Sequence, residues 1–188
     1  MDKQKLIRFE IPTDDIHIKP YDGFHVGLPN NDKRYLRDML KKYHEDIDDY
    51  DGMWNESDYD WRIKNGDIFG CTVKDDKIIS FTWSGNKITK VWDKNGCPVY
   101  NTPSFKDGVD REEIDYSNIP DYIYGYNVWV EPEYRGNRYL NIGLHFAKNL
   151  GRLGYKKIIW DVEIWNTPMI IWSLSRNGFK GKVIDLLG

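Results

Sequence analysis

The chain has 188 residues, 40% hydrophobic, 30% charged and 15% aromatic, a composition that excludes a disordered or fibrous chain and suits one domain burying roughly 70% of its unfolded surface. A net charge of −3, with no Lys/Arg-rich run interleaved with aromatics, argues against nucleic acid as the main ligand. No window reaches about 18 apolar residues, and the start, MDKQKLIRFEIPTDD, lacks the apolar core of an export signal, so the expectation is a cytoplasmic protein that does not span a membrane.

Along the chain, NDKRYLRDMLKKYHEDI (31–47) places Tyr35, Leu36, Met39, Leu40, Tyr43 and Ile47 at three- and four-residue intervals behind an Asn/Asp start signal; this predicts an amphipathic helix. DIDDYDGMWNESDYDW (46–61) crowds seven acidic residues around Gly52, and their repulsion predicts a loop or a broken helix. From Asp67, two runs rich in Ile, Phe, Thr, Val and Trp flank a KDDK turn and predict a hairpin. Residues 84–120 hold strand fragments around an Asn-Gly turn and a Gly/Pro/Asp-rich connection.

YIYGYNVWV (122–130) is a β-favouring run too apolar for an exposed edge and predicts a central strand. YLNIGLHFAKNLGRLG (139–154) repeats its apolar residues in helical register and ends on Gly154; KKIIWDVEI predicts a buried strand, MIIWSLSRNGF a short helix and KVIDLL a last strand. A strand-helix-strand order favours parallel pairing of the first two strands. Cys71, in a strand, and Cys97, in a turn, suit neither a disulfide framework nor a thiolate zinc site, and the four histidines show no metal spacing.

VEPEYRGNRYLNIGLHF (130–146) joins the central strand to the helix through a basic turn. A helix starting near Arg138 or Tyr139 would direct free N–H groups and its positive dipole end at that turn, and Arg135 and Arg138 would add charged donors, a chemistry suited to a diphosphate.

The pieces VEPEYRG, the helix running to Gly154 with KKIIWDV behind it, and Asn166 with a short helix ending in Asn177-Gly178-Phe179 come in one order. They resemble the core of the GNAT superfamily of acyl-CoA-dependent N-acyltransferases over about 65 residues. The resemblance implies a mixed α/β fold with a bent, mixed β-sheet flanked by helices. It also implies a single domain spanning 1–188, with an acyl-CoA core at about 122–188 and an acceptor side at about 1–121. The activity implied is transfer of an acetyl or other short acyl group from acyl-CoA to the primary amine of a small molecule or amino sugar. Acetyl-CoA is then the co-substrate and no metal is required.

In this resemblance the backbone of Val128, Trp129 and Val130 receives the pantetheine arm, and Arg135, Gly136, Asn137, Arg138, Tyr139 and Leu140 form the diphosphate loop, with Asn166 and Trp172 nearby. The family's usual loop has small residues where Arg138 and Leu140 stand, and the tyrosine that many members carry on the helix after the asparagine is absent. These departures favour, as the alternative, a catalytically degenerate GNAT-fold binding module. Ser173 is the replacement hydroxyl for the leaving thiolate; Asp161 and Glu163, on one face of their strand, and Tyr126 are candidate bases. The partners expected are a small-molecule amine, cationic if the acidic segment recruits it, with a homodimer allowed for.

Overall fold

The computed structural model describes residues 5–14, 16–47, 54–93, 96–102, 111–136, 141–175 and 182–187. Strand β1 (Leu6–Pro12) and the short β2 (Phe24–Val26) precede α1 (Lys33–Asp46) and α2 (Glu56–Lys64). Then follow the hairpin β3 (Ile68–Lys74) and β4 (Lys77–Gly85), the strands β5 (Lys87–Trp92), β6 (Pro98–Tyr100) and β7 (Arg111–Asp115), and the central β8 (Tyr122–Val130). Helix α3 (Ile142–Arg152), β9 (Lys157–Glu163), α4 (Thr167–Ser175) and β10 (Lys182–Leu187) complete the described elements. Seven strands form one mixed sheet in the order β10-β1-β9-β8-β4-β3-β2, and β6-β5-β7 form a second, antiparallel one.

The β8/β9 pair is parallel, as a crossover through α3 requires, and the other neighbours in the large sheet run antiparallel. In the β3–β4 hairpin Asp75 and Asp76 adopt φ of 48° and 56°, the left-handed pair that a two-residue turn between right-twisted strands demands. Strand β1 is inserted between β9 and β10, so the N-terminal segment is part of the same sheet layer as the C-terminal strands. In β1, Phe9 and Ile11 face the α3 side, while Arg8 reaches across the other face to Asp161.

Helix α2 differs from the loop or broken helix expected there. Asn55 accepts from the N–H groups of Ser57 (2.8 Å) and Asp58 (3.2 Å), and the Asp58 carboxylate accepts from the Asn55 N–H (2.8 Å). With Glu56 and Asp58 in the first turn and Arg62 and Lys64 in the last, the charges follow the helix dipole rather than opposing the helix. Asp48, Asp49 and Asp51 lie outside the described residues.

Two cores sandwich the large sheet. On one face α1 sets Leu36, Met39, Leu40 and Tyr43 against Phe69, Phe81 and Trp83, and Trp54 stands edge-on to Trp83 with ring centroids 5.5 Å apart. On the other, α3 packs Phe146, Ala147 and Leu150 against Phe9, Ile123 and Trp160, where Phe9 and Trp160 stack at 5.6 Å. No helix among the described residues is long and apolar enough to cross a membrane.

Candidate functional site

Strands β8 and β9 pair only from Tyr122–Lys157 to Tyr124–Ile159. Opposite β4, Trp83 pairs with Tyr126 and Phe81 with Trp129, so Asn127 and Val128 together face Thr82. This is a β-bulge, and its Asn127 has φ of 47°, a left-handed conformation that asparagine tolerates. Past the bulge, with no ladder to β9, a cavity of about 670 Å³ opens between the strands, and the Asn127 side-chain oxygen is buried without a partner in the structure.

The cavity has two sides because β9 alternates. Trp160 and Val162 join Phe146 of α3 and Trp172 of α4 on one side; Asp161 and Glu163 join Tyr43 and Asp46 of α1 on the other. The first side admits Trp172 only because residue 143 is glycine: a Cβ there would lie 2.6 Å from the tip of the indole. On the second, the small sheet contributes Tyr100 and Cys97.

The carboxylates expected as bases have unequal surroundings. Asp161 is shielded from solvent; Arg8 donates to it through Nε (2.7 Å) and Nη2 (2.9 Å), and the fully buried Lys90 through Nζ (3.1 Å). Burial opposes its ionisation, but the Arg8 fork and the Lys90 charge outweigh burial and hold the carboxyl below the usual range. Glu163 has no cation partner among the described residues. Burial pushes its carboxyl up, the Asp161 charge adds to that, and hydrogen bonds from its own backbone and the Asn166 side chain hold it back. Two carboxyls on one face are thereby pushed apart: Asp161 is favoured in its ionised form, and Glu163 holds its proton more tightly than an ordinary glutamate.

Tyr126 walls the cavity, but its hydroxyl donates to Asp67 at 2.6 Å, and burial raises it well above the tyrosine range, so it is no base. Ser173 is fully buried on the far face of α4, accepting from Trp160 Nε1 at 3.3 Å; it does not line the cavity, because the helical turn that puts Trp172 there turns Ser173 into the core. Asn166 accepts from the Met169 N–H (3.3 Å) at the start of α4 and reaches Glu163, so it fixes both.

Val128 is 45% exposed on the bulge, while Trp129 and Val130 are buried. After the 3-10 turn Pro132–Tyr134, Gly136 takes φ of 78°, a conformation that favours glycine. Arg135 donates through Nε to the Val130 carbonyl (2.9 Å) and through Nη2 to Asp46. Asn137, Arg138, Tyr139 and Leu140, expected in the diphosphate loop, lie outside the described residues.

This topology is shared with solved structures. A GNAT-family protein from Novosphingobium aromaticivorans superposes with a TM-score of 0.56 at 12% identity, over 98% of this chain and 61% of that one. The chain carries the GNAT fold. A functionally unknown protein from Staphylococcus epidermidis gives 0.52 at 10% identity over 97% and 59%, and a tandem GNAT protein from the clavulanic acid biosynthesis pathway gives 0.52 at 12% over 100% and 52%. The chain thus spans about six-tenths of the length of the first two. No protein-family model matches it, and no curated protein sequence does. On the GNAT fold, the bulged β8 and the parted β9 are the elements that frame the cavity.

Site residues that the sequence did not single out are Tyr43, Tyr100, Gly143, Arg8 and Lys90. Only Asp46, in the acidic segment, carried a signal there. Tyr43 and Gly143 sit on the helices α1 and α3, while Arg8 and Lys90 reach Asp161 from strands 153 and 71 residues away in sequence.

Proposed function

We propose that the protein is an acyltransferase that moves an acetyl or other short acyl group from acyl-CoA to the nitrogen of a small primary amine in the cytoplasm. The observation that carries this reading is the parting of β8 and β9 at the Asn127 bulge. It opens a cavity through the sheet, with Glu163 on the α1 side and Trp172 on the α4 side. The pantetheine arm would run between the strands along the free edge of β8, and the acceptor would enter beside α1 and the small sheet.

In this reading Glu163, as carboxylate, takes the proton of the bound ammonium, and the free amine attacks the thioester carbon. A C–N bond forms, negative charge collects on the carbonyl oxygen, and backbone N–H groups of the bulged segment are the donors available to it. The C–S bond then breaks, the nitrogen gives up its second proton to leave a neutral amide, and the CoA thiolate takes up a proton. With Ser173 turned into the core, that proton comes from solvent or from Glu163 itself.

A non-catalytic GNAT-fold binding module is the second reading, favoured by the absence of a cavity-facing hydroxyl at Ser173. Thiol release from acetyl-CoA across an amine panel, together with calorimetric titration of acetyl-CoA, separates the two. Binding with amine-dependent thiol release is expected; binding without release from any amine would leave the binding module.

A further inference from the structure

On the α1 side of the cavity several of the polar groups are already paired. The Tyr126 hydroxyl goes to Asp67, the Trp129 Nε1 donates to Asp46 at 2.8 Å, and Asp161 is taken by Arg8 and Lys90. Tyr126 and Trp129 thereby present ring surface to the cavity rather than free donors. The rings of Tyr100 and Tyr126 lie 5.8 Å apart, and both line the same cavity as Glu163.

Among the described residues this side therefore offers the ring walls of Tyr100, Tyr126 and Trp129 and one carboxylate, Glu163, that has no cation partner. An amino sugar carries several hydroxyls, and each one buried without a partner costs about 1–3 kcal/mol. An ammonium on a flat apolar body needs ring contact, cation–π attraction and a single carboxylate.

We infer that the acceptor is a primary amine carried on an aromatic or flat apolar body, its ammonium held by Glu163 and its body against Tyr100, Tyr126 and Trp129. Polyhydroxylated amines and polyamines are disfavoured. This rests on the acyltransferase reading, and its test keeps the two apart. Thiol release from acetyl-CoA by the full chain is followed with 2-phenylethylamine and tryptamine against glucosamine, kanamycin and spermidine, and each amine is also titrated calorimetrically into the protein with CoA present. The aromatic amines are expected to show kcat/KM at least tenfold above the others. Glu163→Gln is expected to weaken 2-phenylethylamine binding tenfold or more and to leave 2-phenylethanol within twofold, which also shows that the variant is folded. Preference for an amino sugar or spermidine, or no binding of either aromatic amine, overturns the inference. If no amine is acetylated while 2-phenylethylamine still binds in a Glu163-dependent way, transfer fails as the reading and the acceptor class stands.

Discussion

Arg135, at the turn after β8, is held by Asp46 at the end of α1, and the same Asp46 oxygen accepts from Trp129 Nε1. Lys42 and Glu131 add a second ion pair between α1 and this turn. A carboxylate thus occupies the guanidinium expected from the sequence to grip a diphosphate.

A competition between Asp46 and the diphosphate follows. Arg135→Ala should weaken acetyl-CoA binding by about 1.5–3 kcal/mol, the scale of a charged hydrogen bond. Asp46→Asn should tighten it by about 0.5–1.5 kcal/mol, because the anionic competitor is removed from a half-exposed arginine. Isothermal titration of both variants checks this, and weaker binding in Asp46→Asn would mean that the pair builds the site instead of competing for it.

Glu163 supplies a pH prediction. The base is the ionised form, so kcat/KM should climb with pH through an apparent pKa above the ordinary glutamate value of about 4.3. Glu163→Gln should lower kcat by roughly 10²–10⁴ and remove that limb. Between the unfolded and the raised folded pKa the folded state keeps a proton that the unfolded state has lost, so stability falls as pH rises across that window. The Gln variant should therefore gain Tm relative to wild type at pH 7 and lose the gain below pH 4, which a melting series measures.

The parts of the fold written in local periodicity were legible: α1, the β3–β4 hairpin, β8, and the α3–β9 crossover, which the structure matches to within a few residues. Helix α2 was not, because a count of like charges around 46–61 hides that Glu56 and Asp58 sit at a helix start where anions stabilise. The face shared by Asp161 and Glu163 followed from strand alternation. Their division of labour did not, since it depends on Arg8 and Lys90, brought in by strands 153 and 71 residues away.

Gly143 is expected to separate stability from binding. Alanine is the better helix former by about 1 kcal/mol, so Gly143→Ala should leave Tm unchanged or raised. Its Cβ would however meet the Trp172 ring at 2.6 Å and push that ring into the cavity. Acetyl-CoA binding should weaken severalfold while the melting curve holds; parallel loss of both would show that Trp172 supports the core more than the cavity.

Arg62 ties α2 to the wall proposed for the acceptor. It is fully buried, donates to the Tyr100 carbonyl at 2.8 Å and the Asn101 carbonyl at 3.1 Å, and lies 5.1–5.2 Å from the ring centres of Trp54, Trp83 and Tyr126. Asn101 and Tyr126 in turn share the Asp67 carboxylate. A lysine there has no planar fork to reach both carbonyls or to lie against three rings, so Arg62→Lys should cost about 2–4 kcal/mol, as losses in a buried, charged hydrogen-bond network do. Because Tyr100 and Tyr126 wall the proposed acceptor side and the carbonyls and rings that Arg62 meets all lie on that side, KM for the amine should rise while the Kd for acetyl-CoA stays within about twofold. Urea unfolding, amine kinetics and CoA titration on the one variant decide this; an equal loss in acetyl-CoA affinity would show that the two sides of the cavity are not independent.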